Sequence, residues 1–176
     1  MQLVTAGFSR KKFNLHGIIE KHKARLVAQG FSQKFGIDYK ETFAPVAKMT
    51  TVCVLLSIAI NEGWSLYQMD VRNAFLHREL EEEVFMKLPL GHPQSHSPNL
   101  VCKLHKSIYG LKQSPRVWHA KLSVALQTLG FTRSNVDSSL FIQHNSTNKL
   151  IKLVYVDDLI ITRSNETSVA KLKVEL

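Results

Sequence analysis

The sequence predicts an α+β fold on three observations. Two segments have helical spacing with end signals, short strands lie between them, and a β-hairpin stands near the C-terminal end. The 176 residues suit one compact domain or a core with a small lobe. A composition of 44% hydrophobic and 21% charged residues excludes a disordered tail, a collagen-like fibre or a coiled coil as the whole. The longest apolar run, Val52 to Ile60, contains Ser57 and falls far short of the roughly 20 residues of a membrane span. Met1 to Lys12 carry no secretory signal, so an intracellular protein without a membrane partner is expected. Cys53 and Cys102 give neither a disulfide framework nor metal-ligand spacing.

Residues 1–20 lack firm periodicity and are expected to be an irregular lead-in to a domain covering 21–176. Lys21 to Phe31 alternates loosely, as a basic strand running into a turn at Gly30 would. Thr50 and Thr51 can cap a helix over Val52 to Glu62, with Gly63 at its stop. Apolar residues wrap most of that helix, so burial on nearly every side is expected. Trp64 to Asp70 reads as a strand with Trp64, Leu66 and Gln68 on one face and Tyr67 and Met69 on the other. Val84 to Leu88 reads as a short strand, and residues 89–99, with three prolines and a glycine, as a loop. Val101 to Leu104 is a strand candidate before the loop SIYGLKQSP. Ser114 as N-cap, Pro115 at the first turn and Gly130 at the end bound a second helix. Ser139 to His144 and Lys149 to Val156 read as a hairpin, followed by the apolar run Leu159 to Ile161.

Charge gives the first pointer to function. The chain has 23 basic and 14 acidic residues and a net charge of +9. Residues 1–48 and 101–176 are each net basic and residues 49–100 net acidic, a pattern that suits a polyanion gripped at two places. A merely basic soluble domain would show the same excess. Glu79 to Glu83 is read as a solvated face without chemistry.

The chemistry is expected at Tyr155-Val156-Asp157-Asp158, set between LIKLV and LIIT. A pair of aspartates is by itself common turn composition. Asp70 changes the weighing, because it too ends an apolar strand. If the two strands are neighbours, three carboxylates converge on one edge, a costly arrangement unless a divalent cation neutralises it. Two-metal phosphoryl transfer needs such a set.

These residues resemble a known family. Tyr155 to Asp158 matches the YxDD box of reverse transcriptases. KARLVAQGFSQKFGIDYKETFAPVAKMT, QMDVRNAFLH, KSIYGLKQSPRVW and LVYVDDLIIT resemble the reverse transcriptase of Ty/copia-type retrotransposons, from about Lys23 to Ser164. The resemblance implies a right-hand polymerase with fingers elements and an antiparallel palm sheet, truncated before the thumb, and a fragment of a Pol polyprotein. It implies RNA-directed DNA synthesis on an RNA or DNA template-primer with deoxynucleoside triphosphates, in the cytoplasm or in a particle. Asp70 and Asp157 would be the principal Mg²⁺ ligands, with Asp158 completing the set and Mn²⁺ a substitute. Phe75 falls where such enzymes place a steric gate against a 2′-OH. Gly110, Lys112, Gln113 and Ser114 match the loop beside the incoming nucleotide, Lys23 and Arg25 would meet its phosphates, and Tyr155 would lie against the primer terminus. Cys53 stands where relatives usually have arginine and Arg78 where they have glycine. These departures, with the absent thumb, favour the alternative of a catalytically silent nucleic-acid-binding remnant. A nuclease using the same carboxylates is the weaker third reading.

Overall fold

The structure, a computed structural model, describes residues 2–3, 5–71, 73–77, 79–89, 91–95, 97, 99–145 and 148–164. Arg78 lies outside them, as does everything after Ser164. The expected mixture of helix and strand is what the backbone adopts, with two α-helices and mostly antiparallel sheets among the described residues. The chain divides into two units, Met1–Phe43 with Phe75–Trp118, and Ala44–Ala74 with His119–Leu176.

In the first unit, β1 (Gln2–Leu3) pairs in parallel with β5 (Glu79–Lys87), which pairs antiparallel with β6 (Val101–Lys106). Strands β2 (Thr5–Phe13) and β3 (Ile19–Ala28) form a separate two-stranded antiparallel ribbon. This corrects the expected irregular lead-in over residues 1–20. Arg10 to Phe13 and the facing Ile19 to His22 are all exposed, so neither face of the outer ribbon has the apolar alternation by which a half-buried strand is recognised. Strand β5 also starts five residues earlier than expected and absorbs the acidic run. Glu79, Glu81 and Glu83 are exposed, and Glu83 pairs with Lys103 of β6. The unit's core gathers Ala28, Val84, Met86, Ile108 and Leu111.

In the second unit, β4 (Ser65–Asp70), β7 (Thr132–Arg133), β8 (Leu140–His144), β9 (Lys149–Tyr155) and β10 (Asp158–Arg163) form an antiparallel sheet in the order β4-β10-β9-β8-β7. Helix α1 (Met49–Asn61) covers one face, where Leu55 and Ala47 cluster with Leu153, Leu140, Ile151 and Ile160. Helix α2 (Ser114–Thr128) reaches the other face, with the His119 ring 6.3 Å from that of Phe141.

Two expectations about α1 are corrected. Only Leu55 and Ala59 are buried in it, while Val54 is 57% and Ile60 75% exposed. The sheet covers a single side of the helix, where Val52 packs beside Leu55, while Val54, Leu56, Ile58 and Ile60 are exposed. Nor do the threonines cap it. Lys48 is the N-cap, and Asp137 takes the capping role from a loop far along the chain. Its Oδ2 accepts the Lys48 N–H at 3.1 Å and the Thr51 hydroxyl at 2.6 Å, while Oδ1 accepts the Ser139 N–H at 2.9 Å. Burial pushes the Asp137 carboxyl up, but these donors and the Lys48 charge outweigh it and leave the pKa below the ordinary carboxylate value.

Candidate active site

Asp158 of β10 pairs with Tyr155 of β9, so Val156 and Asp157 alone make the turn between the strands. Two-residue hairpins need a positive φ that glycine or asparagine normally supplies. Here Val156 takes it, at φ +57°, a conformation in which a β-branched residue is strained. The turn is fastened to β4, where the Val71 N–H donates to the Asp157 carbonyl at 2.9 Å. In the β4–β10 ladder Asp158 stands directly opposite Asp70. The two strands are therefore neighbours in one sheet, and the register brings Asp70 and Asp158 together at its end, with Asp157 in the adjoining turn.

Side chains alternate along a strand and directly paired residues share a face, so Gln68, Asp70, Asp158 and Tyr155 lie on one face. Asp70 and Tyr155 are exposed, and Asp157 and Asp158 half-buried. Gln68 Nε2 donates to Asp158 Oδ1 at 3.3 Å. Like charges directly across a ladder are destabilising, by a few tenths to about 1 kcal/mol. The register therefore sets two carboxylate positions side by side on one face at the end of the sheet. As the side chains stand, no three His, Cys, Asp or Glu groups among the described residues gather closely enough to hold a metal ion. The donor set, carboxylates on adjoining backbone positions, is nonetheless of the all-oxygen kind that suits Mg²⁺.

The remaining expected site residues belong to the first unit. The Ala28 N–H donates to the Tyr109 carbonyl at 2.8 Å, drawing the loop before α2 onto the end of β3. Gly110 has φ +91°, and a Cβ there would come 2.0 Å from the Ala28 oxygen, while one on Gly30 would come 2.0 Å from the Gly110 oxygen. The close approach at Gly110 is thus one of backbone to backbone. Buried Gln113 donates through Nε2 to the Asp38 carbonyl at 3.2 Å and accepts from Gln33 Nε2 at 3.0 Å. The Lys112 N–H donates to Gln33 Oε1 at 2.8 Å, and its Nζ donates to the Gln33 carbonyl at 3.1 Å while lying 5.0 Å from the centre of the Tyr39 ring.

Ser114 does not cap α2, contrary to expectation. Its hydroxyl donates to the Ile108 carbonyl at 2.7 Å and meets the Ser107 hydroxyl. The Gln113 carbonyl accepts the first helical bond, from the Val117 N–H at 3.0 Å. Phe75 is buried, its ring edge-on to Tyr109 at 4.6 Å, and the Arg25 guanidinium lies 5.3 Å from the centre of the same Tyr109 ring. Lys23 stands opposite Arg10 in the ribbon, and its side chain lies outside the described ones. Sequence reasoning missed Tyr109 and Gln33, although the Gly30 and Gly110 signals flank the segments that carry them.

The profile of the family described as reverse transcriptase (RNA-dependent DNA polymerase) matches residues 5–176. The chain belongs to this family. The copia-type motifs therefore identified a reverse transcriptase domain correctly. The chain is 46% identical over 161 residues to a retrovirus-related Pol polyprotein from transposon RE2 of Arabidopsis thaliana, covering 92% of this chain and 11% of that protein. It is 42% identical over 157 residues to the corresponding polyprotein from transposon TNT 1-94 of Nicotiana tabacum, covering 89% of this chain and 12% of that protein. A Ty1-GR3 Gag-Pol polyprotein of Saccharomyces cerevisiae is 28% identical in an alignment of 164 positions that covers 88% of this chain and 9% of that one. This reverse transcriptase segment thus spans about a tenth of the length of these relatives. Among the described residues no helix is long and apolar enough to cross a membrane.

Proposed function

We propose that the chain carries the nucleotidyl-transfer centre of an RNA-directed DNA polymerase, acting on an RNA or DNA template-primer with deoxynucleoside triphosphates as part of a Pol polyprotein. The observation that carries this reading is the Asp70/Asp158 pair, facing across β4 and β10 beside the strained Val156–Asp157 turn. Repulsion is retained there at a cost that a bound cation would reverse.

In this reading the five-stranded sheet is the palm sheet and the β2–β3 ribbon a fingers element. Asp70 and Asp157 hold Mg²⁺, or Mn²⁺ in its place, and Asp158 completes the set. When bound, such ions lower the pKa of the attacking hydroxyl and stabilise the leaving pyrophosphate. The chain's own part is to fix the carboxylates on rigid strand ends, with the bond from Val71 to the Asp157 carbonyl holding the two sides together. Tyr155, exposed on the same face, offers a surface for the primer terminus.

Phe75 serves as the gate against a 2′-OH, its ring held in place by Tyr109. Lys23, Arg25, Lys112 and the start of α2 meet the phosphates, and Gly110, Gln113 and Ser114 shape the loop that carries Lys112.

Primer extension on an RNA template at low salt with Mg²⁺ tests the reading, with Asp157→Asn in parallel. Extension by the parent chain and none by the variant is expected. A folded parent chain that binds template-primer but never extends it would overturn the proposal in favour of a silent nucleic-acid-binding remnant.

A further inference from the structure

The β2–β3 ribbon has two parts of opposite chemistry. Residues 5–28 hold six Lys or Arg and one acidic residue, Glu20. The register pairs Lys12 with Lys21, Arg10 with Lys23 and Phe8 with Arg25, which puts five cationic positions on one face of the ribbon. Same-face positions along a strand are about 6.8 Å apart, twice the rise of about 3.4 Å per phosphate of a nucleic-acid strand. The base of the ribbon is anchored where Arg25 and Ala28 meet Tyr109.

The tip is apolar. Phe13 is 57% and Ile18 64% exposed, and Leu15 is fully exposed between them. Yet the tip is built. The Asn14 side chain accepts the N–H groups of His16 and Ile18, both at 2.9 Å, and the Asn14 N–H donates to the Ile18 carbonyl at 2.9 Å. The Gly17 N–H closes onto the Asn14 carbonyl at 3.0 Å. Three large apolar side chains are thereby held outward on a fixed turn, beyond any core they could stabilise.

We infer that this ribbon opens nucleic-acid duplexes. The outer part of its basic face, Arg10, Lys12 and Lys21, follows the phosphates of one strand, and the tip of Phe13, Leu15 and Ile18 enters the junction where the duplex parts into single strands. Apolar side chains inserted at base steps unstack them at a cost of a few kcal/mol, offset when neighbouring cations hold the backbone. Charge placement selects this occupant over an anionic membrane. Cationic positions from Lys21 to Arg25 extend over about 14 Å of strand, whereas a headgroup layer is only about 6 Å deep. The inference deepens the polymerase reading and rests on it, because copying a paired template requires such an opening.

The test uses the full chain and a forked duplex with 2-aminopurine at the junction base pair. Fluorescence should rise on binding at the fork, and should not rise when the label sits well inside the duplex. The double variant Leu15→Asn/Ile18→Asn should lose most of the rise while binding within about threefold of the parent, since phosphate contacts supply most of the affinity. Leu15→Asn alone, at a fully exposed position, should lose part of it and guards against a folding artefact. Lys12→Gln/Lys21→Gln should weaken binding and lower the slope of log K against log salt by about 1.5 to 2. An unchanged rise in both tip variants overturns the inference. So does an unchanged salt slope in the stem variant, or tip-dependent binding to phosphatidylserine vesicles without any signal at the fork. None of these readouts needs nucleotide incorporation, so a chain that opens forks but never extends primers separates failure of the polymerase reading from failure of this one.

Discussion

The loop from Gly110 to Ser114 was read from family motifs and the sheet end at Asp70, Asp157 and Asp158 from the residues themselves, and the two treat their polar atoms in different ways. In the loop, Lys112, Gln113 and Ser114 bond to Gln33, Asp38 and Ile108, so each has a structural task that would exist without a ligand. At the sheet end Asp158 accepts from Gln68 but stands opposite a second carboxylate, Asp70, beside a strained valine. Side chains that satisfy one another explain a fold. Side chains that oppose one another need a further reason, and that is why the carboxylates carry the functional argument.

The sharpest way to break this contrast is to neutralise one carboxylate. Asp70→Asn should abolish primer extension, a loss of about a thousandfold or more if a cation ligand worth several kcal/mol is removed. The same change should leave urea stability unchanged or raise it by up to about 1 kcal/mol, because it removes a cross-strand repulsion. Loss of stability together with activity would mean that Asp70 belongs with the structural residues.

Backbone substitutions probe the other side of the comparison. Gly110→Ala should cost about 3 kcal/mol or more, from the positive φ and from a Cβ 2.0 Å from the Ala28 oxygen. Gly36 also has a positive φ, +79°, but open space around it, and Gly36→Ala should cost only about 1 kcal/mol. Equal costs in urea titrations would remove the packing role assigned to the Gly110 loop.

What the sequence disclosed follows the same division. That Asp70 and Asp157 each follow an apolar run was legible, whereas the pairing of β4 with β10 stayed a condition, because two runs so far apart in the chain carry no local signal of being neighbours. Phe75 was legible only as a motif position, since a buried ring on Tyr109 and a gate have the same composition around them. Strand β2 was illegible because its outer half is exposed on both faces and leaves no alternation. Asp137 was illegible for another reason: its partners Lys48 and Thr51 are more than 80 residues away, and capping patterns are read locally. The apolar circumference of α1 was legible, but not that the sheet would cover one side of it.

Asp137 supplies a smaller and pH-dependent test. Asp137→Asn should cost about 1 to 2 kcal/mol, the range for loss of a helix cap with its charge-assisted bonds. Its folded pKa is depressed, so its contribution is fully present above the unfolded carboxylate value and is lost as pH falls through the folded one. His119 adds a second window at higher pH. Burial, with the Arg133 charge beside it, lowers its pKa, so the neutral ring is favoured in the fold and stability falls as pH drops below the ordinary histidine value of about 6.5. Urea midpoints between pH 3 and 7 should show both declines, with the lower one absent in Asp137→Asn and the upper one absent in His119→Gln.

Val156→Gly gives the smallest effect and the finest test of the contrast. Glycine adopts a φ of +57° without the penalty of a β-branched side chain, so the strain of about 1 kcal/mol at the turn should be relieved. Glycine also enlarges the conformational freedom of the unfolded chain, which offsets up to about 1 kcal/mol of that gain. The midpoint should therefore rise slightly or stay level, where the same change inside a strand would lower it. If Val156 is held strained because it fixes Tyr155 and Asp157 in place, primer extension should fall several-fold in the same variant. A stabilised chain with unimpaired extension would show that the turn tolerates its valine without using it, and would leave the Asp70/Asp158 repulsion as the one retained cost at the sheet end.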